Sequence, residues 1–115
     1  MASSAAPKKF EFLVVVPDFP GAQAKRLEVR PTHFANLGPL KDSGTYQLGG
    51  AVLHEVPQDD DPKSLKFAGS ALIVVATSKE EVLEILKKDV YVGAGVWDLE
   101  NTQIWPLKAA FRHAL

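Results

Sequence analysis

The chain has no cysteine at all among its 115 residues. That excludes disulfides, a thiol nucleophile and thiolate metal sites. Charge of one sign is also missing. Thirteen Lys and Arg stand against 14 Asp and Glu, so there is no basic surplus to hold a nucleic acid. No apolar run approaches the ~20 residues of a membrane-spanning helix. The start, "MASSAAPKK", is small and polar, without the apolar core of a secretory signal. These absences predict a cytoplasmic protein. A length of 115 residues fits one domain with its own core, with residues 1–8 a disordered tail and residues 9–115 the folded unit.

What is present is patterned. "FEFLVVV" (Phe10–Val16) is aromatic and β-branched and stops at Pro17, which predicts a strand. "PGAQAKRLEVR" is helix-forming, but Pro31 disfavours helical backbone at Arg30 while suiting the first position of a new helix. A kinked pair follows, 21–30 then 31–37, with Gly38-Pro39 weakening the end and Asp42-Ser43-Gly44 making a turn. Residues 45–53 read as a strand with a bulge or close approach at Gly49-Gly50. "EVPQDDDPKS" is a polar hairpin loop, and 67–76 a third strand. Ser78 and Glu81 form a capping box that opens a helix carrying Val82, Ile85 and Leu86 on one face. Residues 91–97 are a glycine-punctuated connection. Residues 101–111 are a last strand, in which Pro106 indicates an edge or end.

The order is β-α-β-β-α-β, a ferredoxin-like α+β arrangement with an antiparallel sheet and two helices on one face. The other face should then be polar. Instead "FLVVV" and "ALIVVA" are apolar at successive positions, so both faces ask for cover. A second copy packed sheet on sheet answers this, and a homodimer is expected. Flanking loops and the C-terminal tail are the alternative cover.

Several short motifs, in order, carry a resemblance. They are Lys25-Arg26-Leu27 with Arg30-Pro31-Thr32-His33, Asp42-Ser43-Gly44, Gly49, and Phe67-Ala68-Gly69-Ser70. Asp89-Val90-Tyr91-Val92 with Ala94-Gly95-Val96-Trp97, and Trp105-Pro106-Leu107-Lys108, complete the set. Together they resemble the YciI-related (YCII) family of dimeric α+β barrel proteins over about residues 10–111. The family usually has Asp-Pro-Tyr where this chain has Asp89-Val90-Tyr91. The resemblance implies a ferredoxin-like protomer pairing through its sheet, and a pocket with a His-Asp catalytic dyad, carried here by His33 and Asp42. Its relatives include a dehydrochlorinase acting on a chlorinated hydroquinone, and the wider superfamily includes muconolactone isomerase.

Geometry sets a condition on that dyad. Nine residues of continuous helix make two and a half turns, so His33 and Asp42 would face opposite ways. They can meet only if the helix ends between them. If they do, the carboxylate fixes the imidazole tautomer and supports its charged form, which is general-base chemistry. The plain alternatives are a partly buried helix histidine and a turn aspartate.

Around this pair, Arg30, Ser70, Tyr91 and Trp97 are candidates for substrate binding. Arg26 and Arg30 lie on neighbouring turns and can meet an anionic substrate, or simply be solvated. Tyr91 and Trp97 can wall a pocket or pack a core. His33, His54 and His113 are too scattered to indicate a metal, and Asp59-Asp60-Asp61 lacks the alternation of a calcium loop. The expectation is a cofactor-independent lyase or isomerase acting on a small cyclic or aromatic metabolite. A non-catalytic binding or assembly module on the same dimeric scaffold is the alternative, and a haem- or metal-dependent monooxygenase a remote one.

Overall fold

The structure, a computed structural model, describes residues 7–115. Most of the expected N-terminal tail therefore lies outside the described residues. The chain forms β1 (Phe10–Pro17), α1 (Gln23–Asp42), β2 (Tyr46–Leu53), β3 (Phe67–Ala76), α2 (Lys79–Leu86), the single-turn α3 (Val90–Gly93) and β4 (Gln103–Leu107). The sheet order is β2-β3-β1-β4 with every pair antiparallel. This is the ferredoxin-like arrangement read from the sequence, with Pro106 on an edge strand as expected.

Alternation decides the faces. On β1, Phe12, Val14 and Val16 point to the helices and are buried, as are Leu72, Val74 and Ala76 on β3. Val82 and Leu86 of α2 close over them, together with Tyr91, Val96 and Trp97. Each fully buried valine contributes about 1.5–3 kcal/mol. Gly69 is fixed by crowding. A Cβ there would lie 2.2 Å from the Val16 carbonyl oxygen on the paired strand.

The opposite face carries a row of apolar side chains in register across all four strands: Leu48, Ile73, Leu13 and Trp105. Leu48 and Trp105 are exposed. The C-terminal segment crosses near this face, where Arg112 pairs with Glu11 at 2.6 Å.

Four local expectations need correction. First, α1 is one helix from Gln23 to Asp42 with both Pro31 and Pro39 inside it. Both prolines are on its exposed side, where the carbonyls they leave unbonded can take water. Second, Gly38-Pro39 does not end it. Gly44 does, at φ 78°, where its N–H donates to the Lys41 carbonyl (3.1 Å) and the Ser43 N–H to that of Pro39 (3.0 Å). Third, the irregularities of β2 fall at Tyr46/Leu48 and Val52/Leu53 rather than at Gly49-Gly50, where the other expected feature, a close approach, is the one that forms, Gly49 lying against Leu72. Fourth, the last strand is only Gln103–Leu107, preceded by a 3-10 turn at Leu99–Asn101. The capping box forms as read: Ser78 Oγ accepts from the Glu81 N–H at 3.1 Å. Glu81 returns the bond one residue further out, to the Thr77 N–H.

Candidate functional site

One face of α1 carries Arg26, Arg30, His33 and Leu37, spaced four, three and four residues apart. They line a cavity of about 280 Å³ between this helix and the sheet, with Phe34, Gly49, Phe67, Ser70 and Tyr91 among its other walls. No Asp or Glu lines it.

His33 is 8% exposed. Its Nδ1 lies 2.9 Å from Asp89 Oδ1, and its ring stacks on Tyr91 with centroids 3.9 Å apart. The same carboxylate oxygen accepts from the Tyr91 N–H at 2.9 Å, which caps α3. Asp89 is itself nearly sealed, at 5% side-chain exposure. With Nδ1–H donated to Asp89, the other nitrogen, Nε2, has no protein partner among the described residues and is not sealed from solvent. It is the lone pair that can take a proton from a molecule in the cavity.

The expected partner was Asp42, and here the structure departs. α1 does not stop between the two residues, so Asp42 lies two and a half turns on, exposed at the helix end. Asp89 supplies the carboxylate instead. The Val90 that replaces the usual proline does not prevent this, because the turn still forms as α3 under the Asp89 cap. The missed signal was the Asp-x-Tyr spacing itself. An aspartate two residues before an aromatic caps a turn, and that aromatic stacks on His33.

Of the residues expected to bind substrate, Ser70, Tyr91 and Arg30 line the cavity. Trp97 does not. It is buried behind Ser70 and donates its indole N–H to Ser70 Oγ at 3.1 Å. Its segment is tied beside β1 by the bond from the Asp98 N–H to the Pro17 carbonyl.

Arg26, one of two helix arginines that could have been solvated, is only 4% exposed. Its guanidinium sits between the Phe67 and Tyr91 rings, 4.7 Å from each centroid. One terminal nitrogen donates to both oxygens of Asp18, at 2.7 and 2.9 Å, and the other donates to Ser70 Oγ at 2.9 Å. Nε is buried with no partner. An unmet donor on a buried cation is costly. Burial pushes the Asp18 carboxyl up, against the pull of Arg26. Burial also pushes the Tyr91 hydroxyl up, opposed by Arg26 and Arg30. No cluster of three or more metal-ligating side chains occurs among the described residues.

The fold and this cavity define a ferredoxin-like α+β protein, the protomer fold of the dimeric α-β barrels, with a histidine-aspartate pair beside its sheet. The chain belongs to the YCII-related domain family, whose model matches residues 10–108. It is 36% identical over 101 residues to aspartate kinase FUB3 of Fusarium oxysporum f. sp. lycopersici, covering 87% of this chain. It spans only 18% of that protein's length. It is 33% identical to fusaric acid biosynthesis protein 2 of Gibberella fujikuroi, covering 86% of this chain and 93% of that one. Among solved structures, it resembles 5-chloro-2-hydroxyhydroquinone dehydrochlorinase (TftG) from Burkholderia phenoliruptrix AC1100 in complex with 2,5-dihydroxybenzoquinone. The TM-score is 0.70 at 32% identity, over 85% of this chain and 93% of that one. No helix among the described residues is long and apolar enough to cross a membrane.

Proposed function

We propose that this chain is a small-molecule enzyme of lyase or isomerase type that removes a proton from an oxygen-substituted cyclic or aromatic substrate. The observation that carries the reading is the 2.9 Å contact from His33 Nδ1 to Asp89, with Nε2 left open to the cavity. His33 is the general base, and Asp89 holds its tautomer and supports the imidazolium. A proton leaves a ring carbon next to a carbonyl and goes to Nε2. The electron pair of the broken C–H bond moves into the ring, and negative charge develops on the carbonyl oxygen. Ser70, whose Oγ accepts from Arg26 and Trp97 and so keeps its own O–H to donate, is the donor suited to meet that oxygen, with the charge of Arg26 behind it. Re-forming the carbonyl with expulsion of a leaving group, such as chloride, completes an elimination. Return of the proton to another carbon completes an isomerisation. Neither course consumes an oxidant or a reductant. A cavity of about 280 Å³ suits one ring rather than a larger metabolite. The chemistry named for TftG, on a hydroxylated ring, supports this substrate class.

The working form in this reading is a cytoplasmic homodimer, paired through the row of Leu48, Ile73, Leu13 and Trp105. The test of the reaction is a turnover screen with chlorinated and unchlorinated hydroxyhydroquinones. The expected result is product formation that falls about 10²–10⁴-fold in His33→Gln with the fold intact. Binding without any turnover, or turnover indifferent to His33→Gln, would remove the base and leave a binding module.

A further inference from the structure

We propose that the cavity's substrate carries a carboxylate, and that Arg30 is the residue that selects it. This deepens the preceding reading and rests on it for the location of the reacting end. Arg30 lines the cavity one helical turn beyond Arg26. Unlike Arg26, it has no carboxylate partner among the described residues, although it is partly buried. Its guanidinium carbon stands 4.5 Å from the centroid of Phe34, a half-exposed ring on the same wall. That contact occupies a face of the guanidinium and leaves its edge donors for a planar anion, which a carboxylate meets with two parallel bonds.

The charge of the cavity points the same way. Arg26, Arg30 and His33 line it, while Asp18 and Asp89 stand behind the wall, bonded to Arg26 and to His33 respectively. Asp18 answers Arg26, and Arg30 is the permanently charged side chain of the lining with no carboxylate bonded to it among the described residues. Two anion-accepting points one turn apart, on the order of 5–6 Å, match a single ring with an enolate oxygen at one side and a carboxylate at the other.

The test compares two rings that differ only in this group, hydroquinone and 2,5-dihydroxybenzoate, by calorimetric titration of the intact chain. The expected result is that the wild type binds the carboxylated ring at least about tenfold more tightly. Arg30→Met, which keeps the packing on Phe34, should bring the two within about twofold. Arg30→Lys keeps the charge without the fork and should fall between them. It also carries the comparison if Arg30→Met does not fold. Equal affinities in the wild type, a preference that survives in the Arg30 variants, or no binding of either ring at millimolar concentration each overturns the inference. The same titration on His33→Gln separates the two readings. A preference retained there, with turnover indifferent to His33, would leave the carboxylate site standing and remove the base.

Discussion

Asp89 and Asp42 are the residues on which the reading of the site turns. Both are aspartates near a turn, and only their placement tells them apart. Asp89→Asn removes the charge opposite Nδ1 while keeping the size of the side chain. It should lower turnover by about 10²-fold or more, and nitrogen-15 spectra should show the Nδ1–H form of His33 giving way to a mixture of tautomers. Asp42→Asn should stay within about twofold of the wild type in the same assay, because its side chain is at the exposed end of α1. If instead Asp42→Asn is the damaging substitution, the pair described here does not operate. His33 itself was singled out through the resemblance carried by Arg30-Pro31-Thr32-His33; its place after Pro31 alone left a plain helix histidine equally open. Its partner was not, because 56 residues separate them and only the packing of α3 against α1 brings them together. Arg26 was misjudged for a related reason. A helix arginine looks solvated until the Asp18 that buries it is found on the neighbouring β1–α1 connection.

At the scale of the elements, β-branched composition was enough for β1 and β3, and apolar spacing with a capping box for α2. Such signals failed where local and tertiary preferences conflict. Pro31, Gly38 and Pro39 each weigh against a helix, yet α1 runs through all three. The buried edge formed by Arg26 and His33, with Leu37 packed on the core, holds it there. β3 is the least forgiving element. Gly69→Ala would drive a methyl group into the Val16 carbonyl, and the two central strands cannot part without losing their ladder. Urea unfolding should show a loss of roughly 2–3 kcal/mol. A loss near zero would mean that β1 and β3 are not paired in this register.

For the molecule as a whole, two expectations follow from what is covered and what is not. The first concerns alkali. The chain has only two tyrosines, Tyr46 and Tyr91, and both are buried. Burial raises both hydroxyls above their ordinary 10.0, helped at Tyr46 by the charge of Asp89. A folded value above the unfolded one means that this contribution to stability is complete below pH 10 and drains away as pH rises through the folded values. Phenolate absorbance should therefore stay silent at pH 10 and appear only as the circular dichroism of the fold is lost. Phenolate appearing near pH 10 with the fold intact would contradict the packing around His33. The second concerns the bare sheet face. The proposed dimer should bury more than about 1,000 Å². Leu13→Glu, placed mid-row, should yield monomers by sedimentation without disturbing the inner core. An unchanged sedimentation coefficient would assign the cover to the C-terminal segment clasped by Arg112 and Glu11.

One oxygen atom, Asp89 Oδ1, accepts from the imidazole of His33 and from the backbone of α3 at once. A library of variants sorted first for soluble expression and then for turnover would treat position 89 unlike its neighbours. Position 42 should be permissive in both sorts, and position 30 should be depleted only when the carboxylated ring is supplied. Position 89 should be depleted in both, so its tolerance profile alone would pass for that of a core residue.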